Sequence, residues 1–234
     1  MKLSLPVYRL KRNARLLARE FDIPLHQALD RVARQEGFAS WSLLAAQLSA
    51  VPVAARLLAG FEPGNLVLLA ARPGHGKTRL GLEIATEALS LGRHALFFTL
   101  EYNAQDVHGL LADMDRNPVG CGDRFVIDTS DAICAEHVIA RLAGKPAGSV
   151  AVIDYLQLLD QDRNKPDLET QLGALESFAR TSGVILLFLS QVDRGFELSQ
   201  SRVPGLDDVR LPNPADLGRF SRTCFLNDGE MRLT

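Results

Sequence analysis

Residues 71–78 read Ala-Arg-Pro-Gly-His-Gly-Lys-Thr, between an apolar run, Leu66 to Ala70, and a helical pattern that starts at Arg79. β-formers, a glycine-containing turn and Gly-Lys-Thr opening a helix surround a polyphosphate with backbone N–H groups and a helix N-terminus. In that arrangement Gly74 and Gly76 let the backbone approach the phosphates, Lys77 neutralises the β- and γ-oxygens, and the Thr78 hydroxyl holds a magnesium ion. The nucleotide-contacting set expected here is Ala71, Arg72, Pro73, Gly74, His75, Gly76, Lys77, Thr78 and Arg79. The strict phosphate-loop pattern has glycine where Ala71 stands. The alternative is a glycine-rich strand-to-helix turn followed by an ordinary N-capping threonine.

Three further polar residues follow apolar runs, where ligands sit in open parallel sheets. Asp154 follows Ala151-Val152-Ile153 and could hold magnesium beside Thr78, or merely cap a turn. Glu101 ends Phe97-Phe98-Thr99-Leu100 and could orient and deprotonate a water attacking the γ-phosphate. It could equally cap the helix that starts near Asn103. Gln191 follows Leu187-Phe188-Leu189-Ser190, where an amide can bond a γ-phosphate oxygen and report its loss to the loop beyond.

These positions need a scaffold, and the hydropathy pattern supplies one. Apolar runs at 66–70, 95–100, 124–127, 150–153 and 184–189 alternate with helical patterns from Leu80 to Leu89 and at 104–114, 132–142 and 168–180. Strands apolar on both faces, alternating with amphipathic helices, predict an α/β fold with a mostly parallel sheet flanked by helices. Residues 223–226 and 231–233 around Asn227-Asp228-Gly229 predict a terminal hairpin. Before this core, helical spacing over residues 7–49 predicts a small N-terminal helical unit centred on Phe38, Trp41, Leu43 and Leu44. The expected boundaries are 1–50 for that unit, 51–60 for a connecting helix or linker, and 61–234 for the nucleoside triphosphatase core.

The chain has 234 residues, 47% of them hydrophobic, and a formal charge of -2. The charge is uneven, because Lys2, Arg9, Lys11, Arg12, Arg15 and Arg19 precede the first acid, Glu20. Such a basic helix is either a solvated face or a nucleic-acid contact. Cys121, Cys134 and Cys224 have no metal-ligand spacing and are expected to be small core residues in a reduced cytoplasm. No stretch is apolar enough to span a bilayer, so no membrane partner and a cytoplasmic location are expected.

The segments ARPGHGKT, FFTLE, VIDYLQLL and LSQVDR, in this order and spacing, resemble the ATPase domain of bacterial replicative helicases of the DnaB type, within the RecA-like superfamily. That family also reads Ala-Arg-Pro where the strict loop pattern has glycine first, and Ile153 to Gln157 is the most specific string. The resemblance covers roughly Gly60 to Leu233. It implies ATP and magnesium as ligands, Lys77 and Thr78 on the phosphates and metal, Glu101 as catalytic carboxylate, Asp154 on the metal side and Gln191 as γ-phosphate sensor.

The family's Lys-Gln-Arg segment, whose arginine reaches a neighbouring subunit's ATP site, has no counterpart in this sequence. Slow hydrolysis is expected unless Arg219, Arg222, Arg232 or a partner replaces it. The family's N-terminal domain is not recognisable either, which leaves a ring, or any homo-oligomer, open. Residues 192–214 lack periodicity and are expected to form a mobile loop. By the resemblance, this loop would bring Arg194, Arg202 and Arg210 to single-stranded DNA. Two functions follow from the sequence: a DNA-associated ATPase of helicase type, or a nucleotide-dependent switch that hydrolyses slowly and acts through a protein partner. A small-molecule kinase lacks a recognisable lid or acceptor site.

Overall fold

A computed structural model describes residues 7–116, 118, 120–160, 166–193, 195–196, 201, 203–211, 213–227 and 230–234. The chain divides into two compact units, Met1–Val53 and Ala54–Thr234.

The first unit holds α1 (Val7–Glu20), α2 (Leu25–Gln35) and α3 (Trp41–Ala50). Leu10 and Ala14 of α1 pack on Ala28 and Val32 of α2, a stripe that helical spacing requires. Pro24 stands one residue before α2 as its N-cap. Ser40 caps α3 by accepting from Leu43 N at 3.3 Å, and Trp41 N donates to Asp30 Oδ1 at 2.8 Å. Leu44 is fully buried but Leu43 is 55% exposed, which corrects the expectation that both are central. Adjacent residues on a helix point about 100° apart, and here Leu44 faces the interior while Leu43 faces solvent.

The second unit opens one residue into α4 (Val53–Leu58), which supplies Ala54, Leu57 and Leu58 to its core. It continues through β1 (Leu66–Ala71), α5 (Lys77–Ser90), β2 (Ala95–Thr99), α6 (Ala104–Asp113), β3 (Phe125–Asp128), α7 (Ala135–Leu142) and β4 (Val150–Asp154). The remaining elements are α8 (Leu168–Ser182), β5 (Ile185–Gln191), β6 (Arg222–Asn227) and β7 (Glu230–Leu233). The seven strands form one sheet in the order β3-β2-β4-β5-β1-β6-β7. Every pairing is parallel except β6–β7, where Cys224 faces Leu233 and Asn227 faces Glu230. The predicted hairpin is therefore present, and its Asp228-Gly229 turn lies outside the described residues.

Strand residues alternate between two apolar layers, as a pleat of period two demands. Leu66, Leu68, Phe98, Ile153 and Phe188 join α7 and α8 on one face, whereas Val67, Leu69, Phe97, Val152 and Leu187 join α4, α5 and α6 on the other. Full burial of each such side chain contributes about 1.5–3 kcal/mol. Gly81 lets α5 close on the sheet, because a Cβ there would lie 3.0 Å from Leu189 Cδ1 and 3.1 Å from Val152 Cγ1.

Three local expectations need correction. Helix α7 starts at Ala135 rather than near Ala132. Ser130 N bonds Asp128 Oδ1 and Ala132 N bonds Ser130 Oγ, so turns occupy these residues. The first N–H of α7 is then taken by the buried Gln171 of α8 at 2.9 Å. The expected loop 192–214 is held to the sheet at several of its described residues. Val192 and Val209 form an antiparallel bridge, and with Phe196 they are buried against the sheet. Of the cysteines only Cys224 is a core residue; Cys121 and Cys134 are half-buried.

Candidate functional site

β1 ends at Ala71, and the turn that follows carries Gly74 and Gly76 at φ 81° and 82°. Residues with a Cβ rarely adopt that region, so glycine is needed at both positions. Gly76 is the N-cap of α5, with Lys77 the first helical residue and Thr78 the second. Thr78 is therefore not the cap of its helix. Its hydroxyl instead donates to Asp154 Oδ2 at 2.8 Å. Lys77 Nζ donates to Asp154 Oδ1 at 3.1 Å and to Glu101 Oε2 at 3.4 Å, and it stands 5.4 Å from the centre of the Tyr155 ring.

The carboxylates arrive on two neighbouring strands. β2 and β4 pair in register with Thr99 beside Asp154, which brings Glu101, two residues beyond Thr99, to the same sheet edge. The helix-cap alternative for Glu101 fails, because Asn103 caps α6 itself in a reciprocal capping box with Asp106. Glu101 is left partly exposed at the mouth, while Asp154 is fully buried beneath it.

Burial pulls the Lys77 ammonium down, but Asp154 and then Glu101 more than reverse this, and its pKa lies above the ordinary 10.5. Lys77 thus stays charged throughout the neutral range. β5 pairs with β1 so that Gln191 lies opposite Ala71.

An open cleft of about 360 Å3 covers the group and is lined by Pro73, Gly74, Gly76, Lys77, Thr78, Arg79, Glu101 and Gln191. Tyr102 and Leu110 complete it. Sequence reasoning missed both, although Tyr102 directly follows Glu101 and Leu110 falls on the inner helical stripe of α6. Of the expected contact set, Ala71, Arg72 and His75 do not line the cleft. Ala71 is buried in β1, where its carbonyl accepts from Val192 N at 3.1 Å.

Arg219 does not line the cleft either. Its guanidinium bonds Glu169, and its Nη1 bonds Glu176 at 2.8 Å, both on α8. Arg232 bonds the Pro204 carbonyl and covers the Phe225 ring, and Arg222 is an exposed strand residue. Arg194 and Arg202 lie outside the described residues, whereas Arg210 is described and exposed.

The oxygen donors suit a small hard cation: a hydroxyl and a buried carboxylate meet at the N-terminus of α5. Among the described residues no group of three or more His, Cys, Asp or Glu could hold a metal. An ion here would therefore also take phosphate and water oxygens, as magnesium does in nucleotide sites. The residues fit a magnesium–polyphosphate pair.

Residues 52–116 match the DnaB-like helicase C terminal domain family. The chain is 28% identical over 201 residues to the replicative DNA helicase DnaC of Bacillus subtilis (strain 168), covering 70% of this chain and 44% of that protein. The replicative DNA helicase DnaB of Geobacillus stearothermophilus matches with the same identity and coverage. The chain thus spans less than half the length of these relatives. In structure it is similar to a DnaB-like replicative helicase described with its interactions with primase, at TM-score 0.60 and 19% identity, covering 95% of this chain and 67% of that one. In sequence over residues 52–116 and in fold, the chain is similar to the RecA-like domain of DnaB-type helicases. A second solved structure, described as an ATPase domain, is also similar, with TM-score 0.54, 21% identity and coverage of 80% and 81% of the two chains. At those identities the likeness to solved structures is one of fold. The residues that match the family, 52–116, take in β1, the glycine turn, α5, β2 and α6, which build most of the cleft. Among the described residues no helix is long and apolar enough to cross a membrane.

Proposed function

We propose that the DnaB-type domain binds ATP with magnesium in the Lys77 cleft, hydrolyses it, and couples the hydrolysis to DNA. The observation that carries this reading is the chain of contacts Thr78–Asp154–Lys77–Glu101 inside a cleft walled by a glycine turn and a helix N-terminus. The N–H groups at the start of α5 and the Lys77 ammonium receive the β- and γ-phosphates. Thr78 and Asp154 hold the magnesium ion, which screens the charge that develops on the phosphate oxygens. Glu101 reaches the cleft from the side of β2, orients a water for in-line attack on the γ-phosphorus and takes its proton. Gln191 contacts the cleaved phosphate, and its carbonyl accepts from Arg210 N at 2.8 Å, which supports a path from the cleft to the exposed Arg210 as a DNA contact.

Arg79 is the arginine that lines the cleft among the described residues, and it is paired with Glu83 at 3.3 Å. An arginine acting on the γ-phosphate is therefore assigned to a second copy in a homo-oligomer, and turnover by a monomer is slow.

The test is ATP turnover with and without single-stranded DNA for the parent, Lys77→Ala and Glu101→Gln, alongside binding of a fluorescent ATP analogue. Both variants lose hydrolysis, and Glu101→Gln keeps nucleotide binding. Turnover that survives both substitutions unchanged overturns the site. Light scattering with and without ATP checks the oligomer.

A further inference from the structure

The first compact unit carries a surface that the ATP cleft does not use. Residues 1–53 contain eight Lys and Arg against four Asp and Glu, while the rest of the chain has eighteen against twenty-four. The excess is concentrated on α1. Lys11, Arg12, Arg15 and Arg19 are all exposed, and at about 100° per residue they fall on one arc of roughly 100°, opposite the face that buries Leu10 and Ala14. From Lys11 to Arg19 the stripe runs about 12 Å along the helix axis. No acidic residue lies between Leu10 and Arg19, and Glu20 and Asp22 stand beyond the end of the stripe. Arg31 of α2, by contrast, is occupied, and covers the Phe21 ring at 5.7 Å.

We infer that this arc is a docking surface for the phosphate backbone of a nucleic-acid duplex. Charge complementarity selects a polyanion. A membrane surface fits poorly, because a helix that lies in the lipid interface inserts its apolar face, and the apolar face of α1 is taken up by Ala28 and Val32. Sequence-tolerant single-strand binding relies on aromatic rings that stack bases, and the stretch from Lys11 to Arg19 has none. Trp41 packs against the α1–α2 cluster instead. A bare basic helix of this width suits phosphate contacts along a groove. The inference is independent of the ATP site.

The experiment uses the full chain and a fluorescein-labelled 20-base-pair duplex, read by anisotropy between 50 and 200 mM salt. Four phosphate contacts give a log–log slope near −3.6, so affinity falls roughly 150-fold over that range. The exposed double substitution Lys11→Gln/Arg15→Gln halves the slope and reduces the fall to roughly 12-fold. Arg12→Gln/Arg19→Gln does the same, and circular dichroism verifies that both variants keep the parent's helix content. Lys77→Ala, which disables the ATP site and is verified as folded in the same way, leaves the slope unchanged. Parent-like slopes in both double variants overturn the assignment, as does loss of duplex binding in Lys77→Ala. Tighter binding to the matching single strand, or to vesicles containing phosphatidylserine, also overturns it.

Discussion

Removing the Lys77 ammonium should weaken the fold as well as the chemistry, and by an amount the geometry sets. Lys77 Nζ lies 3.1 Å from Asp154, which is fully buried, and 3.4 Å from the partly exposed Glu101. The Glu101 contact is open to solvent and contributes little, under about 1 kcal/mol. The Asp154 contact matters more, because Lys77→Met leaves that carboxylate with the Thr78 hydroxyl as its side-chain donor among the described residues. Breaking one side of a buried pair costs about 3–5 kcal/mol, and the lower end applies beside an open cleft. At a urea dependence of about 2 kcal/mol per molar, a loss near 3 kcal/mol moves the midpoint by roughly 1.5 M.

Unfolding should be followed by far-UV circular dichroism, because the one tryptophan, Trp41, belongs to the other compact unit. A double-mutant cycle with Asp154→Asn isolates the pair: the combined loss should fall short of the sum by about 1.5 kcal/mol or more. The sign with pH follows from the raised lysine pKa. The stabilisation is fully present below the ordinary 10.5 and fades as pH rises through the higher folded value. Losses that add within about 0.5 kcal/mol, or a Lys77→Met midpoint equal to the parent's, would refute the buried pair.

Gly81→Val forces a branched side chain against Leu189 and Val152, where even a Cβ comes within 3.1 Å; a loss of about 1–3 kcal/mol in the same urea assay checks this. Burial pushes the Asp128 carboxyl up, but Ser130 N–H, His137 and Arg141 outweigh it and hold it below the ordinary 3.8. The stability gap between parent and Asp128→Asn, about 1–3 kcal/mol, should therefore be full above pH 3.8 and close as pH falls through the lower folded value. Burial pushes the Cys224 thiol up to about 12, so a thiol reagent at pH 8 should label Cys121 and Cys134 in the native chain and Cys224 only after denaturant is added. Rapid labelling of all three thiols in the native chain contradicts the burial of β6.

The sheet was legible because its strands are apolar on both faces, and such runs as Leu66 to Ala70 and Val150 to Ile153 leave little else to expect. The glycine turn was legible for a similar local reason: positive φ at Gly74 and Gly76 restricts residue type directly. What stayed hidden depends on distant partners. Whether Thr78 caps its helix or bonds Asp154 is decided by residues 76 positions apart. The start of α7 is fixed by Gln171, 36 residues downstream, whose own amide donates to the Leu159 and Pro166 carbonyls. Arg219 was a candidate for the ATP site in sequence terms, yet α8 presents Glu169 and Glu176 along one helical face and holds it there. Strand order is equally silent in a sequence, since β4 and β5 must insert between β2 and β1 before the site residues share an edge.

The stitch between Val192 and Val209 has a consequence for how this architecture can diversify. Asp193 N bonds the Asp208 carbonyl and Arg210 N bonds the Gln191 carbonyl, both at 2.8 Å, so the excursion between them is pinched shut at its neck. Chain added inside a closed excursion costs little, about 0.6 kcal/mol for each doubling of length. Segments of very different size and composition can therefore be inserted between residues 196 and 203 while Gln191 keeps its register beside Ala71.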